Sequence, residues 1–232
     1  MLQQAAIARD LGIEYLALGQ SLGYLTRLNP ARWATLIAAV RGIGYTGKII
    51  YFGFVTPAKN SIEWEGADPG FAPLLDVVGV YVPDGVLAAA GEVLSKAQTR
   101  ARMRADLRTM LSRVNARMAT PKPIFLLLAT PSVHGGVSTS EYIEPCCVNT
   151  ISVAPYRTRD YQQQADMYQA AAEVINEQPL GNGQVMGFFS WGYTWTDGLE
   201  LGTNQGDAAF DKSGNVHGKP AEAVLSWWFH RW

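Results

Sequence analysis

Charge is scarce in this chain: only 17% of its 232 residues are charged, and acids and bases nearly cancel at a net −1. No overall field therefore draws it to nucleic acid or to an anionic membrane. Cysteine is scarcer still. The two present, Cys146 and Cys147, are adjacent, a spacing that excludes a disulfide framework and brings no His or Cys to zinc-ligand distance. No apolar run is long enough to span a bilayer. The opening MLQQAAIARDLG lacks the basic head and apolar centre of a signal peptide and reads as an amphipathic helix fragment. Also missing are a Gly-x-Gly-x-x-Gly turn, a phosphate loop and a nucleophile-elbow serine, which argues against nucleotide and esterase chemistry. The expectation is no metal and no cofactor.

What the chain does have is apolar residues, 48% of the total, enough for one well-packed domain over residues 1–232. Leu2 to Asp10 reads as a helix and Glu14 to Leu18 as a strand. Asn29-Pro30 opens a second helix, with Asn as N-cap and Pro at the first helical position. Lys48 to Phe54, Asp76 to Val82 and Ile124 to Ala129 are strand-like runs. Val86 to about Met118 is helical, with a break. Its many basic residues, Lys96, Arg100, Arg102, Arg104, Arg108, Arg113 and Arg117, read as a solvated outer face. Asp160 caps a helix over Tyr161 to Glu177, with Gln163 completing a capping box. A last helix follows Lys219-Pro220. Strands alternating with helices predict an α/β fold with parallel strands. Five such units with strongly buried strands suit part of a (β/α)8 barrel, whose ligand sites lie at the strand C-termini.

The richest stretch is Gly183 to Gly198, GQVMGFFSWGYTWTDG. Val185 to Trp191 is apolar or small on both alternating faces, as a strand covered on both sides requires. Trp191, Tyr193 and Trp195 then alternate, sharing one face if the segment stays extended. Such rings either line a sugar-stacking pocket mouth, with Tyr81 from the DVVGVYVPD strand on the neighbouring side, or cap the core. Among acids, Asp76 reads as a structural carboxylate at a strand start, and His134 as a surface residue.

In order, IARDLGIEYLALGQSLGYL, the W-x-x-L-I-x-x-V-R of Trp33 to Arg41, YTGKIIY, LLDVVGVYVPD, KPIFLLLATPSVHGG, QQQADMYQAA, GFFSWGYTW and GKPAEAVLSWW resemble the last five strand–helix units of a clan A glycoside hydrolase barrel, most like endo-β-mannanase-type families. The resemblance implies a TIM-type barrel of which about five of eight units are present. It also implies a retaining mechanism with two glutamates about 5 Å apart. The acid/base position, ending the family's fourth strand, falls on Ser21. The nucleophile position, ending the seventh, falls on Leu127 or Leu128. No Asp or Glu lies within three residues of either. Neither side chain can do a tuned carboxyl's work, so the expectation is a degenerate enzyme kept for carbohydrate binding or scaffolding. The alternatives are an active glycoside hydrolase with acids relocated to Asp84, Glu141, Glu144 or Asp197, and a purely structural subunit. The expected partners are an oligosaccharide and a protein, or a second copy, covering the open barrel edges at the first and last strands, where Leu16 and Phe188 would otherwise meet water. The resemblance alone implies an extracellular or periplasmic setting.

Overall fold

The computed structural model describes residues 1–20, 22, 29–54, 71–82, 92–116, 118, 120–128, 130–138, 158–177, 180, 184–190, 193 and 214–232. Their elements run α1 (Leu2–Asp10), β1 (Tyr15–Gln20), α2 (Pro30–Gly42), β2 (Lys48–Phe54), β3 (Val77–Val82), α3 (Lys96–Asn115), β4 (Ile124–Leu128), α4 (Tyr161–Asn176), β5 (Val185–Ser190) and α5 (Pro220–Phe229). The strands form one five-stranded sheet in chain order, and every adjacent pair is parallel. All five therefore end on the same side of the sheet.

Both faces of the sheet are apolar, as the unalternated strand sequences require. The outer face of β3–β5 (Val78, Val80, Ile124, Leu126, Leu128, Phe188) packs under Leu107 and Leu111 of α3, Tyr168 of α4 and Leu225 of α5. The outer face of β1–β2 (Leu18, Ile49, Tyr51) packs under Trp33, Ile37 and Val40 of α2. The inner face gathers Ile50, Phe52, Val77 and Leu127, with Tyr15, Phe125 and Met186 against them. Gly79 makes room for this layer: a Cβ there would sit 2.6 Å from the Phe52 ring. At the strand N-termini, Asp76 joins two strands and a helix. Its carboxylate pairs with Arg41 and accepts from the Ile49 amide at 2.7 Å, while Arg41 also donates to Gly47 O at 2.7 Å. The structural role expected for Asp76 is what it performs.

Several local expectations change. Asn29 makes no side-chain cap; Pro30 alone starts α2. Helix α3 begins at Lys96 behind a full Ser95–Gln98 capping box. Part of its basic ridge is not a free solvated face: Arg100 and Arg104 both pair with Glu177, and Lys96 lies 3.9 Å from Glu173, so the ridge clips α3 to α4. Asp160 caps α4, but Gln163 does not close the box, because its side-chain oxygen accepts from Gly136 N at 2.8 Å instead.

The largest correction concerns β5. Between Ile124↔Val185 and Phe125↔Gly187 the register slips, leaving Met186 as an extra residue. A bulge of this kind reverses which face the following residues meet. Phe188 is consequently 2% exposed, lying 6.0 Å from the Tyr168 ring and 5.8 Å from those of Phe229 and Trp232. Phe189 takes the inner face and stays 47% exposed. Leu16 is half-buried against the α2 cluster.

Candidate functional site

The bulge decides what stands at the C-terminal end of the inner face. Tyr81, Leu127 and Phe189 are register neighbours across β3, β4 and β5. Leu127 is 7% exposed and belongs to the inner cluster with Ile50, Phe52 and Val77. Leu128 belongs to the outer cluster beneath the helices. Of the two positions matched to the nucleophile, only Leu127 is placed on the inner face.

Around it lies an aromatic array that sequence reading missed. Phe125 and Phe189 stack at 4.5 Å, Tyr15 meets Phe125 edge-on at 5.9 Å, and Phe52 meets Phe189 edge-on at 6.3 Å. Rings from four strands thus converge on one face. Edge-on and offset contacts of this kind each add a little beyond the area they bury.

Beyond β5, Tyr193 turns towards α5. Its hydroxyl donates to Glu222 Oε1 at 2.8 Å, while the Gly218 amide donates to Oε2 at 2.8 Å. The two bonds, Gly218 first, hold the Glu222 carboxyl below the usual carboxylate range, and the same Tyr193–Glu222 bond raises the phenol. His217 lies 5.3 Å from the Tyr193 ring. A cavity of about 320 Å³ opens beside this pair, walled by Ser190, Ser226, Leu225 and Phe229.

A seam of buried polar groups ties two loops together through α4 at the same end of the sheet. Lys219, 6% exposed, donates to Ser132 Oγ at 3.0 Å and sits 5.7 Å over the Tyr161 ring. Gln164 donates to Thr130 O at 2.8 Å and to Asn215 O at 3.3 Å. The GKPAEAV and QQQADMY segments thus fasten the loop after β4 to the start of α5. Exposed His134 meets Asp160 at 3.2 Å.

Ser21, Asp84, Glu141, Glu144, Trp191, Trp195 and Asp197, with Cys146 and Cys147, lie outside the described residues. For Tyr81 the strand is described but not the side chain. Among the described residues no group of three His, Cys, Asp or Glu is placed to hold a metal, and no helix is long and apolar enough to cross a membrane.

A sheet of parallel strands in chain order, with helices packed on one face, defines an α/β protein. The particular likeness is to glycoside hydrolases. A GH113 β-1,4-mannanase superposes with a TM-score of 0.58 at 20% identity, over 98% of this chain and 59% of its own. A complex of a GH113 β-1,4-mannanase gives 0.56 at 20% identity, over 99% and 60%. AaManA, the GH113 β-mannanase from Alicyclobacillus acidocaldarius solved with ManMIm, gives 0.54 at 19% identity, over 99% and 59%. The chain thus spans about three-fifths of the length of these structures, and at such identity the likeness establishes the TIM-barrel fold. No family model matches, and no curated protein does.

Proposed function

We propose that this chain is a catalytically degenerate glycoside-hydrolase-like barrel that binds carbohydrate or serves as a scaffold within an assembly. The observation that carries the reading is Leu127. It stands on the inner face near the end of β4, packed into an apolar cluster, where the resemblance puts the nucleophilic glutamate. A leucine cannot attack an anomeric carbon, and an apolar surround disfavours any charge placed beside it. Ser21 at the other glutamate position supports the same conclusion from the sequence.

In this reading sugar rings stack on Trp191, Tyr193 and Trp195, with Tyr81 of β3 on the neighbouring side. The affinity expected of few polar anchors is about micromolar to millimolar. The decisive experiment is hydrolysis of β-mannan, β-glucan and aryl-glycosides by the purified chain. No turnover above background is expected, and Ser21→Glu with Leu127→Glu is not expected to restore it, because a working carboxyl pair also needs neighbouring groups that hold it in place. Turnover that disappears on changing Asp84, Glu141, Glu144 or Asp197 to alanine would overturn the reading in favour of an active hydrolase with relocated acids.

A second reading, association through the sheet edges, is favoured by what flanks them. Phe229 and Trp232, each with its ring 5.8 Å from that of Phe188 on β5, and Leu2, Ile7, Leu11 and Ile13 ahead of β1, are all exposed. Apolar groups clustered at open edges mark contact surfaces. Sedimentation is expected to show association; a stable lone monomer sinks this second reading.

A further inference from the structure

We propose that the cleft between the end of β5 and the first turns of α5 is a saccharide subsite, on the outer side of the sheet, in which Glu222 accepts sugar hydroxyls. The inference rests on the carbohydrate-binding reading above and gives it a place away from the inner face. Ser190, which lines the cleft, is register partner to Leu128 of the outer cluster, whereas Phe189 pairs with inner Leu127. The volume of about 320 Å³ is at the small end of the range for ligand pockets. Its composition suits a pyranose, which has apolar C–H faces and a rim of hydroxyls. Leu225 and the half-exposed ring of Phe229 offer the apolar surface, and Ser190, Ser226, Tyr193 and Glu222 offer the polar one.

Glu222 is prepared for this task. Tyr193 occupies one lone pair of Oε1 and the Gly218 amide one of Oε2, and each carboxylate oxygen has a second still able to accept. The two bonds fix the carboxylate before any ligand arrives, so little freedom remains to be lost on binding. A plain helix-start role explains the Gly218 bond, since Glu222 stands in the first turn of α5. It explains neither the bond from Tyr193 nor the two serines that line the same cleft.

The test is titration of the isotope-labelled chain with β-1,4-mannotriose, followed by amide chemical shifts. Shifts at Gly218, Glu222 and Ser226, with Phe125 and Leu127 unmoved, are the expected result. Ser226→Trp, which fills the cleft, is expected to weaken binding about tenfold or more, and Glu222→Gln several-fold, while Phe189→Ala binds as the unaltered chain does. Shifts confined to Leu127 and Phe189, with binding lost in Phe189→Ala and kept in Ser226→Trp, overturn the subsite and leave the carbohydrate-binding reading standing. No shift anywhere at roughly 10 mM mannotriose overturns both. Should Ser226→Trp not fold, the shift map of the unaltered chain decides alone.

Discussion

The two faces of the sheet are built differently. The outer face is mainly aliphatic and closed over by helices, with Leu126, Leu128, Val78 and Ile124 all withdrawn from water. The inner face is a meeting of rings, Tyr15, Phe52, Phe125 and Phe189, of which the last is half open. Chain neighbours fall on opposite sides of this divide: Leu127 from Leu128, Phe189 from Phe188. The outer layer is where burial makes stability, and the inner layer is where a residue can change without unseating a helix. Loss or gain of a functional group is therefore cheapest on the inner side.

The sharpest way to break the comparison is a charge on each side. Leu128→Glu places a carboxylate among helix side chains with no partner provided and is expected to cost roughly 3–5 kcal/mol. Leu127→Glu is expected to cost somewhat less, since Leu127 is 7% exposed and has half-open Phe189 as its register neighbour, whereas Leu128 is fully buried; urea denaturation at neutral pH compares them. Equal losses would mean that the inner face is as dry as the outer. Truncating the paired rings comes next. Phe188→Ala should lose about 4 kcal/mol and Phe189→Ala about 1 kcal/mol, and the reverse order would place the bulge elsewhere. Gly79→Ala should cost about 2 kcal/mol, because a methyl group 2.6 Å from the Phe52 ring forces that ring out of the inner layer. Gly187→Ala meets Phe125 only at 3.3 Å and should cost less.

The smallest effect probes a polar intrusion on α3. One carboxylate oxygen of Asp106 is buried with no hydrogen-bond partner among the described residues. Burial raises its pKa from 3.8 to about 6, against the opposing pull of Arg102. A carboxyl raised in the fold favours the folded state below its unfolded value, and that contribution is lost as pH climbs from about 4 to about 6. Asp106→Asn should therefore add on the order of 1 kcal/mol at pH 7–8, after discounting for solvent screening, and little near pH 4. Thermal melts across that range would show whether the gain is confined to the alkaline side.

Much of the architecture was legible because strands covered on both sides carry an unbroken apolar signature. Lys48–Phe54 is that case, and its bounds are those read from the residues. The same property hid the phase of β5. In VMGFFS both alternating sets are apolar or small, so nothing in the residues says whether Phe188 or Phe189 faces inward; the bulge at Met186 is set by pairing with β4. The site was less legible still. Lys219 is marked in the sequence only by the proline after it, and its burial depends on Ser132 and Tyr161, which come far earlier in the chain. Tyr193 was legible as an aromatic of interest, but its bond to Glu222 brings together residues 29 apart, which no local pattern reveals. The resemblance left Leu127 and Leu128 undivided, and only register separates them.

The order of the strands has a kinetic consequence. Each described strand pairs with its neighbour in the chain, and matched residues such as Phe125 and Gly187 span as much chain as any pairing among the described strands has to close. Closure entropy grows only slowly with such spans. Assembly of the five described strands can therefore advance one unit at a time, each new strand templated on the one before.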